Sequence, residues 1–109
     1  ERAAELEEYF ALLEQYGISF ADLARESPRQ QGVRDRFSRV AKLVATRPEL
    51  MAKILSRGRL PLEQIARLTG ESQKSLGKRR HYLIALLLVA AREQDFPFIA
   101  SYLGIRGGL

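Results

Sequence analysis

The chain has no cysteine, a single histidine, a single methionine and four prolines in 109 residues. Without cysteine there is no disulfide staple and no thiolate metal site, which fits a reducing, cytoplasmic setting. The lone histidine, His81, has no co-ligand at metal-binding spacing. Phosphate contact or plain solvent exposure fits it better than metal binding or catalysis. Long apolar runs are missing too: residues 82–91 form the longest, about ten residues where a bilayer span needs roughly twenty, so no membrane insertion is expected. No signal peptide is visible. The chain begins at Glu1 and its only methionine is Met51, which reads as a piece cut from a longer protein. Alternating β-branched runs are scarce, and the prolines sit near segment starts, so the expected fold class is all-α. There is no Gly-rich phosphate loop, and the carboxylates gather mainly on an acidic first helix, where Glu7 and Glu8 read as a solvated face. An enzyme is therefore not expected, nor a cofactor, a metal or a small-molecule substrate.

What is present is enough apolar residue, 46%, to bury the core of one domain. We expect a single domain over residues 1–109, with an N-terminal helical part at 1–58 and a helix-turn-helix part at 59–109. The net charge of +5 is unevenly spread. Residues 1–26 carry seven acids against two bases, 27–52 six bases against two acids, and 53–82 eight bases against two acids. Solvated helix faces with no partner would account for this, and so would a surface for nucleic acid or another polyanion.

Leu6, Tyr9, Phe10, Leu13 and Tyr16 follow helical spacing up to Gly17, so residues 2–16 read as an amphipathic helix with that stripe inward. Ser19 and Asp22 form a capping-box pattern opening a short helix over 20–25. "SPRQ" repeats the signal, with Ser27 as N-cap, Pro28 at the first helical position and Gln30 reaching back. Val33, Phe37, Val40, Ala41 and Val44 then line one face. "TRPE" suggests a further start at Thr46 and Glu49, followed by Leu50, Met51, Ile54 and Leu55, with Gly58 as the stop. Pro61 begins a short helix whose Leu62, Ile65, Ala66 and Leu68 face inward. Ser72 caps a long helix over about 73–93, roughly 30 Å at 1.5 Å per residue. Pro97 starts a last turn or two bearing Phe98, Ile99, Tyr102 and Leu103, and "GIRGG" reads as a frayed tail or linker.

Residues 65–81, "IARLTGESQKSLGKRRH", carry the functional signal. Two helices crossing steeply need a small residue at their contact and a turn residue free to take positive φ. Ala66 and Gly70 supply these, with Ile65 and Leu76 as apolar anchors. This is a helix-turn-helix pattern, whose second helix would enter a DNA major groove. Such sequences usually carry aliphatic residues where this chain has Glu71 and Arg79. Gln73, Lys74, Gly77, Lys78 and His81 share the face opposite Leu76, Leu83 and Leu87. Gln pairs with adenine and Lys with guanine at base edges, so Gln73, Lys74 and Lys78 are the candidate base readers. Ser72 and the amides at the helix start suit a phosphate oxygen. Arg57, Arg59, Arg67, Arg79 and Arg80 flank the face as candidate phosphate contacts. Gly77, which costs about 1 kcal/mol against Ala inside a helix, reads either as a close approach to DNA or as a tolerated surface glycine. A protein-interaction module is the competing class, in which the acidic N-terminal half and exposed apolar residues bind a regulator.

Three stretches, "LEEYFALLEQYGISFADLARESPRQQGVRDRFSRVAKLVA", "LPLEQIARLTGESQKSLGKRRHYLIALLLV" and "DFPFIASYL", resemble the C-terminal region of sigma-I type RNA polymerase sigma factors. The most specific parts are "YGISFADLARESP", the spacing from Leu60 to Tyr82, and "DFPF". The resemblance implies a bacterial transcription factor whose helix-turn-helix, comparable to sigma region 4, reads the promoter minus-35 element and contacts the RNA polymerase core. It also implies regulation by a membrane-anchored anti-sigma factor, whose N-terminal cytoplasmic domain binds this region. Carried over by position, Gln73, Lys74 and Lys78 become base readers, and Arg79, Arg80 and His81 backbone contacts.

Overall fold

The computed structural model describes residues 2–105, and among them every regular element is a helix. The elements are α1 (Arg2–Gln15), α2 (Phe20–Glu26), α3 (Gln31–Ala45), α4 (Pro48–Arg57), α5 (Leu62–Thr69), α6 (Gln73–Lys78), α7 (Arg80–Ala91) and α8 (Pro97–Leu103). The all-α expectation holds, and the hub is α7. Its residues from Tyr82 to Val89 are buried without interruption, as expected of a helix apolar on every face.

The other helices bury one stripe each against this hub or its neighbours. α3 contributes Phe37, Val40, Ala41 and Val44, and α4 contributes Leu50, Met51 and Ile54. Ile65 of α5 and Leu76 of α6 are fully buried. Aromatic contacts join distant segments: Phe37 lies 5.9 Å from Tyr82, and Tyr9 meets Phe96 edge-on at 5.4 Å. Tyr9 also donates its hydroxyl proton to the Ala85 carbonyl at 2.9 Å. Burial, with Tyr82 adding to it, pushes that hydroxyl's pKa well above its ordinary value, so it remains a donor.

Several helix starts differ from the sequence reading. The Ser19–Asp22 capping box forms as expected, both reciprocal bonds measuring 3.0 Å. Ser27, however, closes α2, its N–H donating to the Leu23 carbonyl, and α3 starts only at Gln31. The Arg34 guanidinium holds the intervening turn by donating to the carbonyls of Pro28 and Arg29. Thr46 likewise ends α3 rather than starting α4: its hydroxyl donates to Leu43 O at 2.6 Å. Pro48 opens α4 behind Arg47.

In α1 the inward stripe is Tyr9, Leu12 and Leu13, while Leu6 and Phe10 are exposed. Tyr16 is half-buried, its hydroxyl donating to Leu55 O of α4. Tyr102 of α8 is 81% exposed. Ile105, expected in a frayed tail, is buried, and its N–H donates to Ala100 O. The rest of "GIRGG" lies outside the described residues, apart from Gly104, which closes α8 at φ 73°.

The largest correction concerns the helix expected over 73–93. It is two helices, broken at Arg79, whose backbone leaves helical geometry at φ −120° and ψ 37°. The amides of His81 and Tyr82 do not continue the ladder of α6; they donate to the Glu26 side chain. A carboxyl group reaching across from α2 thus satisfies the orphan donors of a new helix start.

Candidate nucleic-acid interface

The helix-turn-helix is built by α5, the Gly70 turn and α6. Gly70 takes φ 82°, the left-handed cap that its lack of a side chain permits, and its N–H donates to Ala66 O. Thr69 stiffens the turn, donating its hydroxyl to Ile65 O at 2.8 Å and accepting the Glu71 N–H at 3.2 Å. Ser72 is the N-cap of α6, its hydroxyl oxygen accepting the Ser75 N–H at 3.0 Å. Among the described residues no acceptor takes its O–H proton, the one a phosphate contact would use.

Leu76 turns into the core and Gln73, Lys74 and Lys78 turn out to solvent. Among the described residues, neither lysine has an ion-pair partner. Arg57 and Arg59 are exposed on either side of Gly58 in the link from α4 to α5, and Arg80 is exposed just past the break. Arg67 on α5 is also exposed, holding an i,i+4 contact to Glu63 at 3.1 Å that solvent screens.

Two of the expected contacts point elsewhere. Arg79 is half-buried and its guanidinium donates to the Glu26 main-chain carbonyl. His81 is half-buried as well, with Nδ1 2.6 Å from Glu26 Oε2. Neither is displayed with the lysines, because the break rotates both toward α2. Gly77 also leaves the exposed face: a Cβ there would sit 3.3 Å from Leu62 Cδ1, so this glycine marks the close approach of α6 to α5. Glu71, in the place of the usual aliphatic, pairs with Arg36 of α3 at 3.1 Å. That hydrogen bond, with Glu71's charge, raises the Arg36 pKa.

Sequence reasoning missed Glu26 and Arg36. Glu71 was itself a signal, an acid where the motif has an aliphatic, but its partner lies 35 residues away in a strongly basic chain. Glu26 carried no local signal at all.

No family model matches the chain. Among curated proteins it is similar to RNA polymerase sigma factor SigI of Bacillus anthracis, 30% identical over 107 residues, which is 98% of this chain and 43% of that protein. Sigma factor SigI7 of Acetivibrio thermocellus is 31% identical over 101 residues, 93% of this chain and 42% of that protein. Sigma factor SigI of Bacillus subtilis is 30% identical over 91 residues, covering 84% and 36% respectively. The chain spans less than half the length of each.

Proposed function

We propose that this chain, whose homologues across most of its length are RNA polymerase sigma factors of the SigI type, is the C-terminal, DNA-reading part of such a factor, directed at the promoter minus-35 element. One observation carries the reading: a helix-turn-helix anchored by fully buried Ile65 and Leu76 displays Gln73, Lys74 and Lys78 to solvent, without side-chain partners among the described residues. In the major groove these side chains meet base edges, Gln73 suiting adenine and the lysines guanine. Ser72, Arg57, Arg59, Arg67 and Arg80 serve the phosphates. Arg79 and His81, turned to Glu26, drop out of the contact set. The remaining expectations, contact with the RNA polymerase core, binding of an anti-sigma domain and a cytoplasmic location, go with this role.

Duplex affinity measured against salt tests it. Log K should fall linearly with log salt, with a slope of about −0.9 per phosphate neutralised. Arg80→Ala should flatten that slope by about one such increment on every sequence. Lys74→Ala and Lys78→Ala should instead relax sequence preference. An affinity indifferent to salt would sink the proposal.

A second reading, a protein-interaction module, draws on an apolar groove of about 340 Å3 lined by Leu6, Tyr9, Phe10, Leu86, Phe98 and Tyr102. Phe20, 75% exposed, packs on the Phe10 ring beside it. No residue of α5 or α6 lines the groove. Pull-down with an anti-sigma N-terminal domain separates the readings. A complex that survives charge reversal at Lys74 and Lys78 uses a surface other than the reading face.

A further inference from the structure

The reading helix α6 has six residues, too few to hold an orientation by its own hydrogen bonds. Polar contacts from outside the helix-turn-helix meet it at both ends. Before its first turn, Glu71 accepts from Nη2 and Nε of Arg36 at 3.1 and 3.3 Å. After its last turn stands Glu26, the one charged residue buried among the described residues, 6% exposed. A carboxyl group so placed is costly unless its oxygens are fully bonded.

Every one of its close partners but one lies in the first turn of α7, just past the break from α6. Oε1 accepts the N–H groups of His81 at 2.8 Å and Tyr82 at 3.2 Å. Oε2 lies 2.6 Å from His81 Nδ1. The exception is Arg25, its chain neighbour, 3.6 Å from Oε2. The main-chain carbonyl of Glu26 takes the Arg79 guanidinium, so both polar ends of one residue close on the same joint.

We infer that Glu26 is a positioning residue for DNA reading: by capping α7 from α2 and holding Arg79, it ends α6 at Lys78 and sets the direction in which Gln73, Lys74 and Lys78 project. It touches no DNA itself. Without this cap, the amides of His81 and Tyr82 lose their acceptor, the joint between α6 and α7 loosens, and nothing holds the direction in which the base readers project. The inference rests on the DNA reading of α6 given above.

The test uses Glu26→Ala and Glu26→Gln, both studied well below their melting temperatures. Amide hydrogen exchange is followed in α6, α7 and α3. Binding is compared between a duplex enriched by the unaltered chain from a randomised pool and a scrambled duplex, across salt. Glu26→Ala should raise exchange in α6 and the first turn of α7 by about tenfold over any rise in α3. It should cut discrimination between the duplexes by about tenfold, the scale of one mismatched base pair, with the salt slope unchanged. Glu26→Gln, which keeps one acceptor oxygen, should lose less of both.

A residue that merely stabilises the fold would lower the melting temperature and raise exchange in α3 as much as in α6, with discrimination intact. That result overturns the inference, as does unaltered exchange in α6. If the unaltered chain enriches no duplex, the DNA reading of α6 is what fails. The exchange measurement then decides on its own whether Glu26 holds the joint.

Discussion

At Gly77 two effects of opposite sign meet. Alanine there would gain about 1 kcal/mol of helix propensity, while its Cβ would press on Leu62 Cδ1 at 3.3 Å. That atom is the tip of a half-buried side chain able to move a few tenths of an ångström, so Gly77→Ala should change unfolding free energy by less than about 1 kcal/mol. Gly77→Leu has no such escape and should cost about 1–3 kcal/mol by overpacking the α5–α6 contact. Equal urea denaturation midpoints for the two variants would refute this account. Asp22 gives a pH prediction. The Ser19 N–H, the Arg25 guanidinium and the Ser19 hydroxyl hold its carboxyl well below the usual carboxylate range. A depressed folded-state pKa contributes stability that is present above the unfolded-state value and lost as pH falls through the carboxylate range. Asp22→Asn should therefore flatten the acid limb of the melting-temperature profile, and superimposable limbs would contradict it. Asp22 was legible because its partners lie within three residues. His81 was not, because its partner comes from α2.

At the scale of elements, equal local signals had unequal outcomes. The Ser19 start forms, whereas the similar patterns at Ser27 and Thr46 end the preceding helices. The deciding contacts are bonds back into the finished helix, Ser27 N–H to Leu23 O and Thr46 hydroxyl to Leu43 O. The break at Arg79 is hidden in the sequence for another reason. Leu76, Leu83 and Leu87 keep helical spacing across it, since both segments pack on the same core. Leu76 is the only fully buried residue of the short α6, so Leu76→Ala should cost about 2–5 kcal/mol of unfolding free energy. Urea denaturation checks this. A loss below about 1 kcal/mol would mean that α6 is held by its polar ends alone.

The whole molecule is joined through one buried cluster that draws on both halves of the chain. Phe37, Val44 and Ile54 from before residue 58 are fully buried in it together with Leu83, Leu86 and Leu87 of α7. Residues 59–109 expressed alone would leave one side of α7 uncovered. We expect that fragment to show no cooperative thermal unfolding, and a sharp transition by circular dichroism would refute the expectation. The charge polarity of the chain also has a tertiary meaning. Arg36 and Glu26, from the basic and acidic stretches, are spent on holding α6. Lys74, Lys78 and Arg80 remain exposed.

By itself the sequence determined the helical class, most helix ends and the outward face of α6. These follow from spacing of 3.6 residues, caps within four residues and left-handed glycines at Gly58 and Gly70. The tertiary structure alone decided that the long helix breaks at Arg79, that Gly77 faces Leu62, and that His81 and Arg79 turn away from the reading face. Those outcomes depend on partners 15 to 56 residues distant. A buried carboxyl group must find donors wherever packing brings them, and no periodicity along the chain records where that will be.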